Sequence, residues 1–189
     1  MNELYPVFLK VHQLETLLVG AGNVGLEILK SSPNAKVTVV SKEFLDDIST
    51  IAEANLNINL VQNAYNESYL NEKHLVIAAT DDKEVNKKVY HDAKERYLLV
   101  NVADTPEYCD FYLGGIVTKG NIKIGISTNG KSPTTAKRLR QLFEEIIPDD
   151  INEMVENINK YRDTLKGDFE EKVDALNKLT VGLMKKSDK

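Results

Sequence analysis

Cysteine is nearly absent: Cys109 is the one thiol in 189 residues. A lone thiol cannot close an internal disulfide or build a zinc site with cysteine partners, and it fits a reducing cytosol. Histidine is scarce too. His12, His74 and His91 are scattered and none has a partner at metal-ligand spacing, so no metal site is expected. No apolar run approaches the roughly 20 residues that span a bilayer. The opening MNELYPVFLKVHQ lacks the apolar core and small-residue cleavage site of a secretory signal, so a cytoplasmic chain without membrane attachment is expected. Positive charge is not in excess: a net charge of −5 argues against an extended nucleic-acid surface. Internal repeats and low-complexity segments are missing as well.

What is present is organised around TLLVGAGNVGLEILK, Thr16 to Lys30. The apolar run Thr16–Val19 leads into Gly20, Gly22 and Gly25 at the spacing G-x-G-x-x-G, and a helical stretch Asn23–Ser31 follows. In that order the glycines have separate tasks: a sharp turn, close approach of a pyrophosphate to backbone, and tight helix–sheet packing. The helix start then offers free N–H groups and a positive dipole end to phosphates. A glycine-rich turn with no ligand is the alternative, which the strand–turn–helix order disfavours.

The hydrophobic share of 42% is ample for a packed core. Leu4–Val11 reads as a short mixed segment or edge strand, with Pro6 suiting an edge. Lys36–Val40 is a second strand, Glu43–Asn55 a helix and Asn57–Val61 a third strand. His74–Ala79 is a buried strand that runs into a polar cap, Thr80-Asp81-Asp82, before the helix Lys83–Arg96. Leu98–Val102 is the fifth strand. Strands alternating with helices to residue 102 imply an α/β fold with a Rossmann-type, doubly wound parallel sheet. Tyr112–Thr118 and Ile122–Ser127 then flank Lys119-Gly120-Asn121 as a hairpin. Ser132 and Pro133 start a helix over Thr134–Ile147, and apolar residues recur at three and four through Asp149–Lys186 as one or two helices.

The second strand ends in Ser41, Lys42 and Glu43, where many NAD-binding folds place an acid that holds the ribose. Glu43, or Ser41 with backbone N–H groups, can serve; Lys42 raises NADP as the alternative cofactor. Thr80 and Asp104 fall beyond the carboxyl ends of strands, where ligands bind in open parallel sheets. An aspartate there can accept a proton or orient a substrate, though Asp-Thr-Pro is also ordinary turn chemistry. Asp110 is a weaker candidate. Asp81 and Asp82 read as caps and Cys109 as a packed thiol. Lys131, Lys137, Arg138 and Arg140, with the hydroxyls of Thr128 and Ser132, are either a solvated helix face or half of a site for a carboxylate-rich substrate.

VGAGNVG (Val19–Gly25), LVIAATDDKEVN (Leu75–Asn86), VNVADTPEYCDF (Val100–Phe111) and ISTNGKSPTTAKRLR (Ile126–Arg140) closely resemble the precorrin-2 dehydrogenase family, which includes the matching module of multifunctional siroheme synthases. The resemblance covers about residues 1–147. It implies NAD-dependent oxidation of precorrin-2 to sirohydrochlorin, with ferrous-iron insertion in some members. It also implies a Rossmann domain at 1–112, a strand-exchanged dimerisation region at 113–147, a helical domain at 148–189, and a homodimer. The family aspartate of the N-V-x-D motif falls on Asp104. Cofactor contacts fall on Asn23, Val24, Lys42 and Glu43, and the position phosphorylated in some multifunctional members falls on Thr128. The chain departs from the family pattern near Ile28, where a basic residue is usual, at Gly114–Gly115, where a proline is common, and around Lys42, where a proline is also expected. The alternatives from other classes are a dehydrogenase that is also a chelatase, a non-catalytic NAD-binding regulatory module, and a potassium-channel regulatory domain, which shares only the glycine turn.

Overall fold

The computed structural model describes residues 4–181, so the expected helical positions from Leu183 to Lys186 lie outside the described part. The chain divides into two compact units between Leu113 and Gly114.

The first unit is a five-stranded parallel sheet in the order β3-β2-β1-β4-β5. Its strands are β1 (Glu15–Val19), β2 (Lys36–Ser41), β3 (Ile58–Gln62), β4 (Leu75–Ala78) and β5 (Leu99–Val102), and its helices are α1 (Asn23–Ser31), α2 (Asp46–Glu53) and α3 (Lys83–Glu95). The register sets Val19 beside Val40 on one side and Ala78 on the other. Successive residues of β1 sort to opposite faces. Leu17 and Val19 join Val76, Val89 and Val100 in one core. Leu18 joins Leu26, Leu29, Val39 and Ile48 in the other. Because both faces are covered, β1 and β4 read as continuous apolar runs and not as alternating ones.

Three expectations are corrected. Leu4–Val11 forms no edge strand: residues 4–10 have no regular structure and Val11–Gln13 is a single 3-10 turn. Pro6 lacks a donor for a ladder, and Tyr5 and Phe8 stay 87% and 70% exposed, so pairing would bury little. Helix α2 is shorter than Glu43–Asn55 at both ends. Leu45 is extended and its N–H donates to the Ala21 carbonyl at 3.4 Å, which ties the helix start to the glycine turn, while the Asn55 amide donates to the Pro33 carbonyl at 2.7 Å. The strand expected from Tyr112 begins only at Gly115. Asn101 takes the Phe111 carbonyl at 2.7 Å, and a Cβ on Gly114 would lie 2.3 Å from the Ile126 carbonyl oxygen.

The second unit pairs β6 (Gly115–Lys119) with β7 (Ile122–Ile126) as an antiparallel hairpin, followed by α4 (Pro133–Ile146), α5 (Ile151–Thr164) and α6 (Phe169–Thr180). Ser132 caps α4, accepting from the Thr135 N–H. Asp168 and Glu171 form a reciprocal capping box on α6. Helix α5 is pinned to the hairpin turn: Asn152 Oδ1 accepts from the Asn121 N–H at 2.7 Å, and Lys119 pairs with Asp149. Among the described residues no helix is long and apolar enough to cross a membrane.

Candidate functional site

The carboxyl ends of β1, β2, β4 and β5 lie along one edge of the sheet, and the strand order reverses between β1 and β4. Ligands of open α/β sheets sit at such a reversal. Gly20 leaves β1 with φ +104 and its N–H donates to the Val40 carbonyl at 2.9 Å. A Cβ there would stand 2.4 Å from the Ala79 carbonyl oxygen, so the turn packs directly on the backbone after β4. A Cβ on Gly25 would lie 2.7 Å from the Gly20 carbonyl oxygen, which accounts for the third glycine.

Gly22 differs. Its backbone is ordinary extended geometry, φ −86 and ψ −164, and a Cβ would meet nothing within 4 Å. Folding therefore does not require glycine here, and the space it leaves is open. Gly22 caps α1 without a side chain, so the N–H groups of the first turn, at Asn23 and Val24, are left for a ligand. An anion fits that cradle. Ser41, the last residue of β2, is half-buried, while Lys42 and Glu43 beyond it are exposed and have no side-chain partner among the described residues. Thr80 is half-buried beyond β4. The amide of Asn86, only 7% exposed, bonds its N–H, carbonyl and hydroxyl.

Asp104 stands beyond β5 in the left-handed region, φ +57, and is exposed. The Ala103 N–H donates to the Ala78 carbonyl at 2.9 Å, so this turn is attached to the end of β4. The Thr105 N–H donates to the Val102 carbonyl at 3.2 Å, and Tyr108 stacks on Tyr90 of α3 at 4.5 Å between ring centroids. The Asp104 carboxylate itself has no partner among the described residues, so it is free to meet a ligand. Asp110 is used otherwise. Its carboxylate accepts from the Val100 N–H at 3.0 Å and from Lys94 Nζ at 2.7 Å, which makes it a structural partner of β5. Asp82 caps α3, accepting from Glu84 and Val85, as a cap reading requires. His74 Nδ1 accepts from the Glu15 N–H at 3.0 Å at the strand end.

The Cys109 thiol donates to the Val102 carbonyl at 3.2 Å and accepts from the Val102 N–H at 3.4 Å. Burial pushes this thiol up, partly offset by its bond to Val102. Because the folded value lies above the unfolded one, the stabilising contribution is complete below the ordinary thiol range and is lost as pH rises through the raised value. Iodoacetamide at pH 8 is expected to label the folded chain about tenfold or more slowly than the urea-unfolded chain; equal rates would contradict the packed-thiol assignment.

In the second unit, the loop before α4 is closed by Thr128. Its hydroxyl donates to the Ser132 carbonyl at 3.1 Å and accepts from the Ser132 N–H at 3.2 Å. Arg138 donates to Gln141 and Arg140 pairs with Glu144. Such surface pairs are worth only about 0.3–0.5 kcal/mol, so a ligand carboxylate can replace them. Lys131 and Lys137 are exposed, with no side-chain partner among the described residues.

Sequence reasoning missed Asn86 and Asn101. Both are buried amides that hold loops at the sheet edge. A polar residue inside the apolar run LLVNV, and an asparagine six residues after Thr80 in the α3 start, were the available signals.

Residues 7–115 match the family described as putative NAD(P)-binding, and residues 119–146 match sirohaem biosynthesis protein, central. The siroheme synthase of Psychrobacter cryohalolentis is 34% identical over 174 residues, 91% of this chain and 32% of that protein. The siroheme synthase of Pseudoalteromonas atlantica is 34% identical over 171 residues, 88% of this chain and 36% of that protein. The chain thus spans about a third of the length of these curated relatives. A solved structure of SirC, precorrin-2 dehydrogenase, superposes with a TM-score of 0.77 at 23% identity, covering 93% of this chain and 89% of that one, a likeness of fold. The chain belongs to the NAD(P)-binding family matched by residues 7–115, with the sirohaem-biosynthesis central segment following it.

Proposed function

We propose that the protein is a cytoplasmic precorrin-2 dehydrogenase that uses NAD⁺ to form sirohydrochlorin. The observation that carries this reading is Gly22: an open space at the start of α1, where no side chain caps the helix, on the same sheet edge as the unpartnered carboxylate of Asp104. The sirohaem segment at 119–146, the names of the relatives and the fold of the solved dehydrogenase support the substrate class. Asn23 and Val24 hold the pyrophosphate through backbone N–H groups, and Gly20 and Gly25 shape the turn. Ser41, Lys42 and Glu43 flank the adenosine ribose. The Glu43 carboxylate would repel a 2′-phosphate that Lys42 attracts, and NAD⁺ is the assignment. The bound nicotinamide supplies the hydride acceptor. Asp104 accepts the proton or orients the macrocycle. Lys131, Lys137, Arg138 and Arg140, with Thr128 and Ser132, meet the carboxylates of the substrate. The working unit is a homodimer, built as Rossmann domain 1–112, dimerisation region 113–147 and helical domain 148–189.

The test is anaerobic turnover of enzymatically generated precorrin-2 with NAD⁺ or NADP⁺, followed by absorbance, alongside a Gly22→Val protein. Wild type is expected to oxidise precorrin-2 with a preference for NAD⁺. Gly22→Val is expected to lose about tenfold or more in NAD⁺ affinity while keeping its melting temperature within about 2 °C. Wild-type protein that binds NAD⁺ without oxidising precorrin-2 would overturn the dehydrogenase reading. Adding Co²⁺ to the same assay separates a dehydrogenase alone from one that also inserts metal.

A further inference from the structure

The three bonds between Asn86 and Thr80 fix a direction as well as a position. Asn86 Nδ2 donates to the Thr80 carbonyl at 2.9 Å, and Asn86 Oδ1 accepts from the Thr80 N–H at 3.2 Å. A backbone carbonyl requires the amide nitrogen and a backbone N–H requires the amide oxygen, so only one orientation of this side chain satisfies both. In that orientation Oδ1 also faces the Thr80 hydroxyl, at 2.7 Å. The hydroxyl's other neighbour is the Asp82 carbonyl at 3.0 Å, again an acceptor. A hydroxyl has one proton and two lone pairs. The proton is taken by Asn86 or by Asp82 in either case. No group among the described residues donates to this oxygen, so its lone pairs remain for a ligand.

Placement says which part of a ligand would meet them. The Ala79–Thr80 backbone packs against Gly20 across the reversal point of the sheet. In a doubly wound sheet the adenosine half of a dinucleotide follows the end of β2, here Lys42 and Glu43. The other half then lies toward β4 and β5, where Thr80 and Asp104 stand.

We propose that Asn86 is a positioning residue: its bonds to the Thr80 N–H and carbonyl hold Thr80 in place, so that the hydroxyl, its proton committed to Asn86 or Asp82, accepts from a ribose hydroxyl on the nicotinamide side of the dinucleotide. This rests on the dinucleotide reading of the glycine turn. The site therefore favours a ligand that brings a donor to Thr80, and a ligand confined to the adenosine side gains nothing from Asn86.

Calorimetric titration of the full chain with NAD⁺ and, separately, with AMP tests this. Thr80→Val is expected to weaken NAD⁺ binding about fivefold, with AMP unchanged. Thr80→Ser, which keeps the hydroxyl, restores it. Asn86→Ala is expected to weaken NAD⁺ similarly, and the double variant to lose no more than Thr80→Val alone, because Asn86 acts through the hydroxyl. Additive losses, a parallel fall in AMP affinity, or wild-type NAD⁺ affinity in Thr80→Val would each overturn the proposal. Should Asn86→Ala fail to fold, Thr80→Val against Thr80→Ser decides: a loss that serine restores upholds the acceptor role, and equal binding refutes it. Wild-type protein that binds neither NAD⁺ nor AMP would instead remove the dinucleotide reading itself.

Discussion

Replacing Asp104 with asparagine should lower precorrin-2 turnover by about 10²- to 10⁴-fold, the usual weight of a positioned acid–base group, while NAD⁺ affinity and melting temperature stay as in wild type. The substitution is chosen for the backbone. Asp104 has φ +57, a region that asparagine also tolerates, so the turn is kept and only the carboxylate is lost. Neighbouring bonds from Ala103 to Ala78 and from Thr105 to Val102 do not involve that carboxylate. Asp104→Gly sharpens the test, since glycine relieves a left-handed backbone that costs of order 1 kcal/mol or more. It should be at least as stable as wild type in urea and still turn over poorly. Full turnover in Asp104→Asn would reduce Asp104 to a turn residue.

Gly20→Ala should destabilise the first unit by about 2–5 kcal/mol, combining backbone strain with overpacking. The left-handed φ of +104 excludes a side chain, and the added Cβ would lie 2.4 Å from the Ala79 carbonyl oxygen and 2.6 Å from its carbon. Neither atom can move aside cheaply. The Ala79 N–H is bound to the Val19 carbonyl at 2.8 Å, and the next residue is held by Asn86. Urea unfolding monitored by circular dichroism would show the midpoint falling, and NAD⁺ binding should fall with it. Gly22→Val is the internal contrast, because it should lose the ligand and keep the fold. A Gly20→Ala protein with a wild-type midpoint would mean that the turn is looser than this geometry.

These two glycines show what could be read in advance. The spacing of Gly20, Gly22 and Gly25 after an apolar run located the turn, α1 and the site edge, because each requirement is local. Caps were legible for the same reason: Asp82 and Ser132 act on N–H groups two or three residues away. Asp110 shows the opposite case. Its carboxylate serves Val100, ten residues back, and nothing near Asp110 announces that partner. Asn86 and Asn101 left only faint signals, because a buried amide looks like any other asparagine until its partners are brought to it. The late start of α2 follows from Leu45 being tied to Ala21, a contact that helical periodicity does not encode.

The segment after Asp104 bears on how the protein behaves at high concentration. The outward-facing backbone groups of β5 at Val100 and Val102 are already claimed. Asp110 takes the Val100 N–H with its carboxylate and gives its own N–H to the Val100 carbonyl at 2.8 Å, and the Cys109 thiol engages both groups of Val102. An unpaired strand rim is a template for recruiting foreign chains into fibrils. Here the chain blocks its own rim with one carboxylate and one thiol, so the parallel sheet is closed to polymerisation on that side.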